Sequence, residues 1–302
     1  MNNKVVIIGC GNVGMSYAYA LLNQRTYVNK LMLIDLNRDR IEGEVMDLNH
    51  CLSYAPSKIS INVGDYEDCK DARIVMIAAG VNQKPGETRM DLIHKNAAIF
   101  KDIIGKVMDS GFKGIFLIAT NPLDIMTFIT YKYSGLPASH VIGSGTSLDT
   151  ARLQNMIGKK LCISPKNITA YVIGEHGDSE FIPWSNANIS MQNIREFISL
   201  DEMKQIESDV KNAAYEIINK KGATYYGIGM ALVAITNAIL GNENAIIPLS
   251  VYDKKNDCYI GLPAILNKDG VERVVPLRLN REEQEKFDSS IKVIKDSIKM
   301  LD

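Results

Sequence analysis

A hexapeptide near the amino terminus restricts this chain more than any other feature. Gly9-Cys10-Gly11-Asn12-Val13-Gly14 has the spacing G-x-G-x-x-G. It follows the β-branched run Lys4 to Gly9, which reads as a buried strand, and opens Asn12 to Asn23, which has helical spacing. A strand that turns on glycines into a helix presents free N–H groups and a partial positive charge at the turn. The first glycine permits the tight turn, the second lets a pyrophosphate approach the backbone, and the third lets helix and strand pack closely. Gly9, Gly11, Asn12, Val13 and Gly14 therefore read as a dinucleotide cradle. Asp35, twenty-one residues after Gly14, ends a second apolar strand, Lys30 to Asp35. A carboxylate there can accept from both ribose hydroxyls and repels a 2′-phosphate, so the expected cofactor is NAD rather than NADP.

The pattern continues. Arg38 to Leu52 has helical spacing. Arg73 to Gly80 and Gly114 to Thr120 are apolar strands, separated by a helical stretch from Asp91 to Ser110. Strands alternating with helices predict α/β architecture with a doubly wound parallel sheet. After about Gly143 the rhythm changes. Ser147 to Leu161 reads as a helix and Ile168 to Ile173 as a strand. Leu200 to Leu240 is mostly helical, with a break near Gly222. Ile246 to Tyr252, Cys258 to Ile265 and Val271 to Pro276 form a strand cluster, and Arg281 to Leu301 an amphipathic helix. With 302 residues, more than one core usually takes, the reading is a Rossmann domain over residues 1–143 and an α+β substrate domain over 144–302.

The totals exclude several classes. A net charge of −1 without a basic block argues against nucleic acid. The longest apolar stretch, Ile228 to Leu240, is too short for a bilayer and reads as a buried helix. The first residues run directly into a strand with no leader pattern, so a cytoplasmic protein is expected. Five widely spaced cysteines without a C-x-x-C read as free thiols, with no metal centre.

Three further segments carry chemistry: Gly174-Glu175-His176-Gly177-Asp178-Ser179, Leu148-Asp149-Thr150-Ala151-Arg152, and Asn82-Gln83-Lys84-Pro85-Gly86-Glu87-Thr88-Arg89. Imidazole titrates near neutrality, so a histidine can deliver and retrieve a proton. Asp149 and Arg152, three apart at a helix start, share one face.

Each segment resembles a signature motif of L-lactate dehydrogenases, in the lactate and malate dehydrogenase superfamily, and the order matches over nearly the whole chain. The resemblance implies reversible hydride transfer between NADH and pyruvate, giving L-lactate and NAD, as in glycolysis and fermentation. It implies His176 as acid–base group and Asp149 as the carboxylate fixing its tautomer. Arg152 would grip the substrate carboxylate through its planar fork. Arg89, on a mobile lid, would polarise the carbonyl. Asn121, before Pro122, resembles the family asparagine near the nicotinamide ribose and substrate oxygen. Thr224 and Ile228 resemble positions lining substrate and nicotinamide; by periodicity alone they are helix core.

Malate dehydrogenases place an arginine where this chain has Gln83. A neutral amide cannot offset the second carboxylate of oxaloacetate in a dry site, a cost of several kcal/mol, or about three powers of ten. Gln83 therefore favours pyruvate. The alternatives are malate dehydrogenase, a broader L-2-hydroxyacid dehydrogenase, a metal-assisted NAD-dependent glycosidase of the same fold, or a non-catalytic NAD-binding module. Bacterial relatives activated by fructose 1,6-bisphosphate use an arginine and a histidine where this chain has Gln154 and Thr169, so little activation is expected. A bacterial-type homotetramer is what the resemblance implies.

Overall fold

In this computed structural model, residues 3–81 and 89–301 are described. Every side chain of β1 (Lys4–Ile8) is buried. Val5 and Ile7 enter one apolar core and Val6 and Ile8 another, because alternate side chains leave a strand on opposite faces. A strand covered on both sides forces helices onto both sides of its sheet. The chain supplies them in order: α1 (Asn12–Asn23), β2 (Lys30–Ile34), α2 (Arg38–Cys51), β3 (Ser60–Val63), β4 (Ile74–Ile77), α3 (Arg89–Asp109), β5 (Ile115–Ile118), α4 (Leu123–Ser134) and β6 (Val141–Gly143). These six strands are parallel, in the order β3-β2-β1-β4-β5-β6. Between β1 and β4 the order reverses, which opens a crevice beyond their carboxyl ends.

The remaining elements are α5 (Ser147–Leu161), β7 (Ile168–Thr169), β8 (Asn188–Ile189), β9 (Gln192–Asn193), α6 (Leu200–Lys221), α7 (Tyr226–Leu240), β10 (Ala245–Asp253), β11 (Cys258–Asn267), β12 (Gly270–Val274) and α8 (Arg281–Ile298). β10 pairs antiparallel with β6 at Ser250 and Gly143, so β10 to β12 extend the first sheet to nine strands. An apolar run signals burial but not its partner, which is why this junction was not legible. α1 and α7 pack against one face, where the Tyr17 hydroxyl meets Thr236 Oγ1 at 2.6 Å. A third core lies between α5, α6 and the small β7–β9 sheet.

One expectation is corrected, and one helix is new. The strand foreseen over Ile168 to Ile173 stops at Thr169. Beyond it the backbone of Ala170 and Val172 bonds to side chains of α5 and of Thr146 just before it: Gln154 Nε2 donates to Ala170 O, Thr150 Oγ1 accepts from Val172 N–H and Thr146 Oγ1 donates to Val172 O. Helix α4 was not foreseen. Its sequence LDIMTFITYKYS is rich in β-branched and aromatic residues of modest helix propensity. Thr127 and Thr130 donate their hydroxyls to the carbonyls one turn back, Leu123 and Met126, and so remain satisfied inside a buried helix.

Candidate active site

The glycine turn sits where the strand order reverses. Gly9 has φ +93°, and a Cβ there would lie 2.3 Å from Ala79 N, at the end of β4. A Cβ on Gly14 would meet Gly9 O at 2.1 Å, so this glycine brings α1 onto the turn. Gly11 differs: a Cβ would meet nothing within 4 Å. Its freedom leaves open space at the amino end of α1, whose first turn has no side-chain cap. Asn12 is exposed and Val13 half-buried beside that space. Asp35, immediately after β2, accepts from Cys10 N–H through Oδ2 at 2.8 Å and from Asn37 N–H through Oδ1 at 3.0 Å. The carboxylate is thereby fixed at the lip of the turn. An open glycine turn at an uncapped helix start, with a fixed carboxylate beside it, fits the pyrophosphate and ribose of NAD.

The second constellation is built around α5. Asp149 Oδ2 is 2.7 Å from His176 Nδ1, and its Oδ1 accepts from Arg152 Nη1 at 2.6 Å. The Asp149 side chain is 3% exposed, Arg152 12% and His176 25%. The i,i+3 pairing foreseen for Asp149 and Arg152 is thus a buried ion pair rather than a solvated one. A guanidinium has five N–H donors, so an arginine that spends one on Asp149 keeps the capacity to hold a carboxylate.

Loop 174–180 is fastened independently of the imidazole. Gly174 pairs with Gly261 of β11 by two backbone bonds of 3.0 and 2.8 Å. Glu175 N–H donates to Ser290 Oγ of α8, and His176 N–H to Asp124 Oδ2 of α4, at 2.7 and 2.8 Å. Ser250 donates to the other Asp124 oxygen at 2.5 Å. Burial pushes the Asp124 carboxyl up to about 6, against these two hydrogen bonds. Asp124 is a functional neighbour whose one sequence signal is a lone acid in the apolar run after Asn121-Pro122.

Electrostatics favour a protonated imidazole. Burial opposes charge on His176, but the Asp149 carboxylate outweighs it by attraction and hydrogen bond, and Glu180 and Asp124 add to it. The pKa rises from 6.5 to about 9. Burial would likewise raise Asp149, but His176 and Arg152 hold it below the ordinary carboxylate range.

Asn121 is exposed after β5, three residues before Asp124. Buried Asn96 of α3 ties its carbonyl to Val81: Nδ2 donates to Asn121 O and Oδ1 accepts from Val81 N–H, both at 2.9 Å. Thr224, which periodicity places in a helix core, is instead half-buried in the turn between α6 and α7, because α6 ends at Lys221 on the left-handed Gly222. Ile228 packs against the core from α7. Gln83 lies outside the described residues, as does the side chain of Arg89, the first residue of α3.

The lactate/malate dehydrogenase NAD binding domain family matches residues 3–143, and the alpha/beta C-terminal domain of the same family matches residues 146–301. This chain belongs to the lactate/malate dehydrogenase family. It is an NAD-dependent oxidoreductase. It is 53% identical to an L-lactate dehydrogenase of Bacillus velezensis, over 97% of this chain and 96% of that protein. An L-lactate dehydrogenase of Halalkalibacterium halodurans is 51% identical, over 97% and 96% of the two chains. Among solved structures, a lactate dehydrogenase from a Medee basin deep-sea metagenome library superposes with a TM-score of 0.97, at 51% identity and 99% coverage of each chain. The minor L-lactate dehydrogenase of Enterococcus mundtii in its ligands-bound form gives 0.96 at 43% identity, covering 100% of this chain and 99% of that one. The Gly9–Gly14 turn lies inside the NAD-binding match, and Asp149 and His176 inside the C-terminal one.

Proposed function

We propose that the chain is an L-lactate dehydrogenase that interconverts pyruvate and L-lactate with NADH and NAD. The observation that carries this reading is the shared carboxylate: one buried acid, Asp149, holds a proton donor and a guanidinium side by side. NADH supplies the hydride that reaches the substrate carbonyl carbon. His176 delivers the proton to the carbonyl oxygen from the ring nitrogen opposite Asp149, since Nδ1 is engaged with Oδ2. Asp149 keeps that tautomer and stabilises the imidazolium. Arg152 neutralises the single carboxylate of the keto acid. Arg89 polarises the carbonyl, Gln83 and Thr224 line the substrate, and Asn121 serves both substrate and cofactor. Gly9, Gly11, Asn12, Val13, Gly14, Asp35 and Ile228 form the rest of the cofactor site. The lactate names of the relatives support pyruvate over oxaloacetate, as does Gln83.

The test follows NADH absorbance with pyruvate, oxaloacetate and a branched 2-keto acid in parallel. Pyruvate is expected to show the highest kcat/KM, by about three powers of ten over oxaloacetate, and Gln83→Arg should reverse much of that gap. A wild-type preference for oxaloacetate would contradict the reading.

The same proposal divides the chain at residues 143/144 into cofactor and substrate domains and has it act in the cytoplasm during fermentation. Among the described residues, no helix is long and apolar enough to cross a membrane. Gln154 already spends its amide on Ile168 O and Ala170 O, which supports weak response to fructose 1,6-bisphosphate. The proposal also includes the homotetramer that the resemblance implies, for which exposed Tyr19 of α1 and Tyr226 and Met230 of α7 offer apolar surface. Sedimentation equilibrium should return four chain masses, and a single chain mass would end that part of the proposal.

A further inference from the structure

We propose that Glu180 is a positioning residue for substrate reduction, acting through His176: its carboxylate stands beside the imidazole and keeps the ring protonated further into the alkaline range. The inference rests on His176 being the proton donor.

Geometry brings Glu180 there. The backbone pairing of Ile173 with Phe181 folds loop 174–180 back on itself, and Glu180 N–H closes a turn onto Gly177 O. Glu180 is left 4% exposed. One oxygen of Glu180, one of Asp149 and one ring nitrogen of His176 all lie within 4.8 Å of one another. Two carboxyl groups thus share one imidazole, while the role assigned to the histidine uses only Asp149.

The surroundings set the charge of Glu180. Asp149 and Arg152 face it from α5, His176 from its own loop and Lys211 from α6. Lys211 is also paired with Glu207 at 3.8 Å. On the same loop, Glu175 accepts from Ser179, and Asp178 from Tyr215 of α6. Asp124 faces the His176 backbone from α4. Burial, reinforced by the Asp149 charge, pushes the Glu180 carboxyl up to about 8, against the attraction of His176, Arg152 and Lys211. Near neutrality Glu180 is therefore largely protonated, and the cluster of Asp149, His176 and Arg152 carries a net positive charge that suits a monoanionic keto acid. As pH rises Glu180 ionises first, and its new negative charge holds the proton on His176.

The test titrates the ring of His176 by NMR in the free chain, with the His176→Gln variant assigning its signal among four histidines. Glu180→Gln should lower the apparent pKa of His176 by about one unit, the size expected for a unit charge at this range. Glu180→Asp, which retains a carboxylate, should restore part of the shift. In steady state, the ratio of kcat/KM for pyruvate at pH 6 to that at pH 9 should rise several-fold in Glu180→Gln, because its proton is lost earlier; a packing defect would lower both values together. An unchanged His176 pKa in Glu180→Gln overturns the proposal. Should that variant not fold, the wild-type chain decides by itself. A glutamate carboxyl titration, expected near pH 8, that also displaces the His176 ring signals supports the inference, and ring signals that respond to no glutamate titration at any pH overturn it. None of the NMR readouts needs a substrate, so a wild-type chain inactive on pyruvate would refute the proposed function without touching this result.

Discussion

Replacing His176 with glutamine is expected to lower kcat for pyruvate reduction by about 10³-fold, within the range for loss of a positioned general acid. NADH binding, read from nicotinamide fluorescence, should change little, because the glycine turn and Asp35 lie in a separate part of the crevice. The loop should also keep its place. Its attachments run through the Gly174–Gly261 pairing, Glu175 N–H to Ser290 and His176 N–H to Asp124, none of which uses the imidazole. An amide can hydrogen-bond to Asp149 but has no proton to give at neutral pH. The loss should therefore fall on kcat and kcat/KM together, as when an interaction made only in the transition state is removed. A variant retaining more than about a tenth of wild-type kcat would remove His176 from the chemistry.

Arg152→Gln should be damaging for two reasons that can be separated. Toward substrate, it removes the charge facing the keto-acid carboxylate. Truncating one member of a buried charge pair costs about 2–5 kcal/mol, so kcat/KM should fall by about 30-fold to several thousand-fold, with much of the loss in the KM for pyruvate. Toward the fold, it leaves Asp149, 3% exposed, with His176 as its remaining charged partner, so the variant should melt at lower temperature. Arg152→Lys separates the two effects: it returns a charge near Asp149 but not the planar fork. It should recover most of the melting temperature and only part of the KM. An unchanged KM for pyruvate in Arg152→Gln would show that the guanidinium serves the Asp149 pair alone.

Much of this arrangement was legible because its parts are local. G-x-G-x-x-G between a β-branched run and a helix is a statement about three backbone positions, and the structure places Gly9, Gly11 and Gly14 as that spacing requires. Asp149 and Arg152 could be placed on one helix face from their separation alone. The contacts that complete the site are not local. Asp124 reaches His176 across 52 positions, Ser290 reaches Glu175 across 115, and Ser250 reaches Asp124 across 126; no periodicity encodes such pairings. Glu180 is four residues from His176, yet its burial depends on the Ile173–Phe181 pairing and on α5 and α6. The α4 helix escaped notice for a related reason: its threonines and isoleucines favour a strand in isolation, and packing between the sheet and α8 overrides that preference. The β6–β10 junction rests on one pair of residues, Gly143 and Ser250. An added Cβ on Gly143 would meet the Ser250 side chain at 2.7 Å, a constraint visible only after the two strands are side by side.

The most direct test of the account is the pH dependence of both directions in the wild-type enzyme. It compares kcat/KM for pyruvate at saturating NADH with kcat/KM for L-lactate at saturating NAD. Reduction needs the imidazolium and oxidation needs the neutral ring. With Asp149 holding the proton on His176 in the free chain up to about 9, pyruvate reduction should stay level through neutrality and then fall about tenfold per pH unit. Lactate oxidation should climb with the same slope before levelling off. Two profiles that move in the same direction, or that remain flat across the alkaline range, would contradict the claim that one histidine carries the proton both ways.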